Sequence, residues 1–369
     1  MLIYHVISDG EVGGAGIFLS HLLPALSPLG VRSKVILPFD SALSPLLEKE
    51  DIPLALIGRR DVPFSLSDAG ALLSPIRRER PGLMVSHGSL SAKLASRLGL
   101  LPIVTVKHCD LPVSHPLLYR ALTDATVATS LPCAHHLMAQ GVTPVFCIEN
   151  GSRPISPPSE ESRRAARKAF GLSDGTLAIG LCGRMAAVKG HETALRALSL
   201  LNQAKKPAHL LFLGEGEEEN RLRALSHSLK LDGQVSFLGY TPHTAPFYAA
   251  LDAHLSCSLA SETSSLSLAE GMGAALPTVA SATEGNLLRV GTGGQFYPPG
   301  NAEGLAACLL TLFEEGQRKK WKDAALRRAG ELPSWEETAK KYRSLFEMLP
   351  ALRKKNGRNG CNFDKDMLQ

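Results

Sequence analysis

The sequence predicts an α/β protein of two Rossmann-like domains, and three observations carry that expectation. Apolar runs of strand length alternate with segments of helix length along most of the chain. A glycine-rich turn within Asp9 to Gly16 separates the first run from the first helix, where a parallel sheet lets its backbone approach a ligand. Prolines and serines then gather between Ser152 and Ser159, and linker chemistry of that kind divides the 369 residues into two halves.

Composition narrows the class. A hydrophobic share of 44% with 20% charged residues is that of a soluble globular protein, and no run approaches the length of a membrane span. The start, MLIYHVISDG, has neither a basic region nor a cleavage site, so a cytoplasmic mature N-terminus is expected. Seven cysteines are scattered without a C-x-x-C pair, which argues against secretion and against a structural zinc site. The net charge of +5 is concentrated at Arg77, Arg78 and Arg80, at Lys205 and Lys206, and at Lys354, Lys355 and Arg358. Such runs are solvated faces or attract anionic lipid or a phosphate-bearing acceptor. Nucleic acid is not an expected partner, because no aromatic residues interleave with the basic ones.

In the first half, strands are expected at Leu2–Ile7, Ser33–Leu37, Leu54–Ile57, Leu83–Ser86 and Ile103–Val106, with a helix over Gly16–Leu29. A dinucleotide-binding enzyme competes for this pattern. Against it, the first turn lacks G-x-G-x-x-G, and the second strand ends Val35-Ile36-Leu37-Pro38, with Asp40 slightly late for a ribose contact. His87 and His108 each follow a strand at its C-terminal end, where ligands bind in open sheets, and Asp110 is placed to orient His108. A packing role for His87 remains equally open. Thr123–Ser130 reads as a strand, Cys133–Gln140 as a helix and Val145–Gly151 as the run closing the domain.

The basic helix Arg163–Phe170 leads into the second half, whose first strand is Leu177–Cys182. The loop after it, Gly183 to Gly190, holds Arg184 and Lys189 before a helix, two cations suited to an anion. Leu210–Leu213 and Val235–Phe237 read as strands ending in Gly214-Glu215-Gly216 and Leu238-Gly239-Tyr240, and Leu255–Leu259 feeds the densest stretch, Ser261 to Ser281. There Glu262 and Glu270 stand eight positions apart. If Ser264, Ser265 and Leu266 begin a helix, their amides seat a phosphate and the carboxylates accept hydrogen bonds from hydroxyl groups. A glutamate in that position also serves simply as a cap or a dipole partner.

With its flanks, Leu276-Pro277 and Thr278 to Ser281, this stretch resembles the E-x7-E signature of retaining glycosyltransferases of family 4, the group 1 glycosyltransferases of GT-B fold. Gly13-Gly14-Ala15 resembles the loop that opens that family, with Gly16 where a larger, often acidic residue is common. Gly183 to Gly190 resembles its G-R-x-x-x-x-K-G diphosphate site, and Tyr297 to Asn301 its Val-Pro-Pro-Gly-Asp. Ala282 to Asn286 lies where relatives have a Gly-Gly loop. The resemblance covers roughly residues 1 to 350, with its motifs in order.

It implies two Rossmann-like domains facing each other across a cleft: an acceptor domain over 1–155, a donor domain over 156–334, a helix over about 335–352 returning to the first domain, and a disordered tail at 353–369. It implies transfer of a sugar, with retention, from a nucleoside diphosphate sugar, UDP-linked, to a glycan, lipid-linked or small-molecule acceptor. Arg184, Lys189 and the amides of Ser264, Ser265 and Leu266 would hold the diphosphate and Glu270 the ribose. Gly214 and Leu238 would lie at the base, and Glu262 and His108 at the sugar. Gly14 would lie near donor and acceptor, with Gly13 and His87 toward the acceptor. Neither a cofactor nor a metal is expected, and the protein would act in the cytoplasm or peripherally on the inner membrane face. GT-B epimerases, phosphorylases and non-catalytic nucleotide-sugar-binding or scaffold proteins are the alternatives.

Overall fold

The computed structural model describes residues 1–8, 13–59, 66–110, 112–152, 155–260 and 262–356. The chain divides into two compact units, Met1–Gly151 together with the chain from Pro333 onward, and Ser152–Leu332. The first contains a seven-stranded parallel sheet of β1 (Leu2–Val6), β2 (Arg32–Phe39), β3 (Leu54–Arg59), β4 (Leu83–Ser86), β5 (Ile103–Lys107), β6 (Ala125–Ala128) and β7 (Val145–Cys147). Its spatial order is β3-β2-β1-β4-β5-β6-β7, the doubly wound arrangement that reverses between β1 and β4.

The second unit repeats the plan with β8 (Leu177–Cys182), β9 (Ala208–Leu213), β10 (Val235–Phe237), β11 (Ala253–Ser256), β12 (Thr278–Ser281) and β13 (Gly294–Tyr297), ordered β10-β9-β8-β11-β12-β13. Here the reversal falls between β8 and β11. β4, β6, β11 and β12 are buried at every position, as in a parallel sheet covered on both faces.

Local chemistry fixes the helices. Ser89, Ser130, Ser159 and Asn301 each accept a hydrogen bond from a first-turn amide, at Ala92, Cys133, Ser162 and Gly304 respectively. The basic helix Glu160–Ala169 is not merely solvated. Arg163 and Arg167 grip the two oxygens of Asp252 at 2.6 and 2.9 Å, while Asp252 also accepts from the Ala178 amide at 2.8 Å. That fork ties the helix to the edge of β8 and β11.

Some boundaries differ from the sequence reading. The first helix is Gly14–Leu26, followed by a tighter turn at Ser27–Leu29. β11 ends at Ser256 rather than Leu259, because Leu259 turns to donate its amide to Val188 at 2.8 Å. The last helix, Trp335–Asn356, runs four residues past the expected end at 352. It packs within the first unit, where Phe18 lies 5.7 Å from Trp335 and 5.8 Å from Tyr342, ring centre to ring centre. Thr338 donates to the Glu149 carbonyl at 3.1 Å. Asp9 to Val12, Ser261 and residues 357–369, all named in the sequence reading, lie outside the described residues.

Candidate active site

In an open parallel sheet the ligand crevice forms beyond the carboxyl ends of the strands at the point of reversal. In the second unit that point gathers the loop after β8, with Arg184 and Lys189, and the loop after β11, with Ser258 and Glu262. Gly190 lets them close. Its φ is +65°, and a β-carbon there would overlap the Cys257 carbonyl. Lys189 Nζ lies 2.7 Å from Glu262 Oε2, and Ser258 Oγ donates to the same oxygen at 2.7 Å. Lys189, Ser258, Glu262, Ser265 and Ser267 line a cavity of about 20 Å³, room for a single water.

The sequence reading placed Lys189 and Glu262 on different parts of a ligand; the structure joins them as an ion pair. Arg184, on the same loop as Lys189, is solvent-facing and loosely paired with Glu217 at 3.6 Å. The helix Leu266–Gly273 starts beside them, capped by Ser265 Oγ, which accepts from the Leu268 amide at 3.4 Å. Ser264, Ser265 and Leu266 therefore stand at a helix N-terminus, as their spacing suggested. Glu270 lies one turn further. Burial raises its carboxyl above the ordinary range, opposed by hydrogen bonds from Tyr248 and Thr244.

Gly214 and Leu238 come together at one edge: the Gly214 amide donates to the Gly239 carbonyl at 2.8 Å, and the Leu238 amide donates to Phe212 at 2.9 Å. Two supporting residues escaped the sequence reading. Ser258 holds Glu262, and Asn286 is fully buried, donating to the Ser281 carbonyl at 3.0 Å and to its hydroxyl at 3.1 Å. Ser281 Oγ in turn donates to the Ser258 carbonyl at 2.6 Å. Residues 284–286, read as part of a loop, open the helix Glu284–Val290. A run of small polar residues at the end of an apolar strand, Ser256-Cys257-Ser258, was the available signal.

In the first unit the helix Gly14–Leu26 and the ends of β4 and β5 converge in the same way. Gly13 precedes the helix Gly14–Leu26, and among the described residues no atom stands where a β-carbon on Gly13 or Gly14 would point, so none of them imposes either glycine. A β-carbon on Gly16 would meet the end of the Leu43 side chain, so a larger residue there requires Leu43 to shift. His87 is only 7% exposed. Its Nε2 lies 3.4 Å from His5 Nδ1 and its Nδ1 2.8 Å from His108 Nε2, so both nitrogens are engaged inside the protein and little of the ring is left for an acceptor.

Phe18 covers the group, 5.9 Å from His87 and 4.9 Å from His108. Burial lowers His5 to about 3 and His108 to about 4, although His108 is only half-buried, and lowers His87 well below the usual imidazole range. Asp110 does not orient His108; it pairs with His136 Nδ1 at 2.8 Å. Lys93 also escaped the sequence reading. It is buried with its ammonium 3.7 Å from the centre of the Tyr119 ring, and burial, with Lys107 nearby, lowers its amine to about 8.

Among the described residues, no group of three or more His, Cys, Asp or Glu is arranged to hold a metal, and no helix is long and apolar enough to cross a membrane. Two family models match, Glycosyltransferase Family 4 over residues 12–153 and Glycosyl transferases group 1 over residues 176–315. The chain is 27% identical to the lipopolysaccharide core biosynthesis glycosyltransferase LpsE of Rhizobium meliloti, over 81% of this chain and 85% of that protein. It is 24% identical to the D-inositol 3-phosphate glycosyltransferase of Pseudarthrobacter chlorophenolicus, over 66% and 67% respectively. The fold matches that of Anabaena Alr3699/HepE solved with UDP-glucose, at a TM-score of 0.82 with 21% identity, covering 94% of this chain and 99% of that one.

Proposed function

Because the chain belongs to the group 1, family 4 glycosyltransferases and has their GT-B fold, we propose that it transfers a sugar from a UDP-linked donor, with retention, in the synthesis of a cell-surface polysaccharide or glycolipid. The observation that carries this reading is the Lys189–Glu262 pair beside the helix N-terminus at Ser264 to Leu266, a cation and a carboxylate next to the positive end of a helix within one loop cluster. The relative from Rhizobium meliloti, a lipopolysaccharide core enzyme, favours a surface glycan as acceptor.

In this reading the diphosphate takes Lys189, Arg184 and the amides of Ser264, Ser265 and Leu266, the ribose takes Glu270, and the base lies against Gly214 and Leu238. The bond from the anomeric carbon to the diphosphate breaks while the acceptor oxygen bonds to that carbon on the same face. The acceptor proton passes to the departing phosphate oxygen, so the protein mainly stabilises charge. Glu262 and His108 hold the sugar, and Gly13 and Gly14 leave room for the acceptor. The cations stand in for a metal, and turnover is expected to survive a chelator unchanged.

A screen of nucleoside diphosphate sugars tests the reading. A UDP-sugar should raise the unfolding temperature, and free UDP should appear when acceptor is added, which separates a transferase from an epimerase, a phosphorylase or a non-catalytic binder. No stabilisation by any donor would overturn it. Glu270→Gln should weaken free UDP and donor alike by roughly tenfold, about 1.4 kcal/mol, in calorimetric titration. Unchanged UDP affinity would move the ribose contact elsewhere.

Work at the cytoplasmic face of a membrane is the natural setting for a glycolipid acceptor. Arg77, Arg78 and Arg80 are exposed, with Arg78 partly neutralised by Glu79 at 2.9 Å, and the same unit exposes Leu98, Leu100 and Leu117 by 66%, 75% and 84%. Arginines at such a surface attract anionic lipid at low salt. Reversing all three charges should therefore abolish co-sedimentation with vesicles of phosphatidylglycerol; retained binding would rule this surface out.

A further inference from the structure

His5, His87 and His108 come from three neighbouring parallel strands or their ends, and their rings form a single file. In both contacts the ring centres, 5.7 and 5.2 Å apart, are further separated than the bonded nitrogens, 3.4 and 2.8 Å, by about two ring radii. The planes differ by only 21° and 20°. Rings so related lie edge to edge, in line and nearly in one plane, whereas face-to-face rings would bring their centres closer. Each contact joins Nδ1 of the deeper ring to Nε2 of the next.

Burial keeps all three rings neutral near pH 7, so each carries one ring proton. A neutral imidazole donates from one nitrogen and accepts at the other, and a file of them therefore has only two states, every proton on Nδ1 or every proton on Nε2. The deep end of the file, at His5, biases that choice. His5 Nε2 is buried with no hydrogen-bond partner among the described residues, and an orphaned N–H is the rarer occupant of such a place than a bare acceptor. The His5 proton then belongs on Nδ1, which donates to His87 Nε2, and His87 Nδ1 donates to His108 Nε2.

We infer that His5 and His87 are positioning residues that hold His108 as its Nδ1–H tautomer through this in-line file. The inference extends the reading of His108 as a contact to the donor sugar, since the tautomer decides which of its two ring nitrogens carries the proton. His87 thereby acts through His108 rather than on an acceptor.

Long-range proton–nitrogen correlation on the full-length protein, labelled with ¹⁵N-histidine, reads each tautomer directly near pH 7. The wild type should show His108 wholly as Nδ1–H; a mixture or Nε2–H overturns the inference. Folded His5→Phe should lose that single state, and His5→Asn, whose amide nitrogen can stand where Nδ1 stands, should restore it. An unaltered His108 in His5→Phe also overturns it, and if that variant fails to fold, the wild-type spectrum still decides. In sugar transfer, His5→Phe should lower kcat roughly tenfold with donor KM unchanged, and His5→Asn should recover most of the loss. If His108→Ala leaves transfer intact, the sugar contact is wrong while the tautomer result stands on its own.

Discussion

Acidification from pH 7 to pH 5 will lower the unfolding temperature by about 10 °C in the second unit and will lower it in the first as well. The cause is a set of imidazoles folded away neutral. His254 and His5 are fully buried and lowered to about 3, and His191, 2% exposed, is lowered to about 4. In the unfolded chain each titrates near 6.5. Above that pH neither state binds the proton and nothing changes. Below it the unfolded chain binds protons that the folded one refuses, so stability falls as pH falls toward the folded values. At pH 5 the difference is about 2 kcal/mol for each of the two rings in the second unit, and in the first unit His5 and His87, both buried and both lowered, act in the same direction. His108 is left out of that sum because it is half-buried and solvent blunts its shift. Thermal scans at the two pH values check the effect, with His254→Leu as the control. Neither His254 nitrogen has a hydrogen-bond partner among the described residues, so the change strands none of them, and the variant should lose about 2 kcal/mol less on acidification. An undiminished acid loss in His254→Leu would show that other groups carry it.

Lys189→Ala will cut sugar transfer by about 2–4 kcal/mol in transition-state stabilisation, roughly 30-fold to 1000-fold, with the fold retained. Glu262→Gln will behave differently although the two side chains touch. In the absence of ligand Glu262 holds the cation that a diphosphate would claim, so removing its charge releases a competitor. The pair is partly solvent-exposed, 35% at Lys189 and 13% at Glu262, and such a pair contributes about 1 kcal/mol or less. UDP affinity in Glu262→Gln should therefore stay within about threefold of wild type or improve slightly, while transfer falls more than a hundredfold. Calorimetric titration of UDP into both variants separates the roles. If Glu262→Gln loses UDP as badly as Lys189→Ala does, Glu262 is a structural support of the loop and not a contact to the sugar.

Most of the architecture was legible because the strands are buried on both faces. LMVS, IVTV and TVAS can hardly be anything else in a chain of this pattern, and the loops that carry Arg184, Lys189, Ser264 and Glu270 follow from where those strands end. What could not be read is what lies between strands far apart in sequence. Lys189 and Glu262 are 73 positions apart, and His5 and His87 are 82, so their contacts depend on the order of the sheet and not on any local spacing. A local hint existed for His5, a polar ring in the middle of LIYHV. Asp110 was misjudged for the converse reason. Proximity in sequence suggested His108, but the turn after β5 carries its carboxylate to the helix Leu131–Ala139 and His136.

The return of the last helix to the first unit bears on the order in which a ribosome can complete this molecule. Phe18 emerges early, yet the Trp335 and Tyr342 rings that enclose it emerge only after the entire second unit has been made. Until then the nascent first half displays an aromatic side chain and, behind it, the imidazoles that Phe18 screens from water. The histidine file is thus the last region to dry, and a chain released at Leu332 would keep its sheet while leaving that file wet.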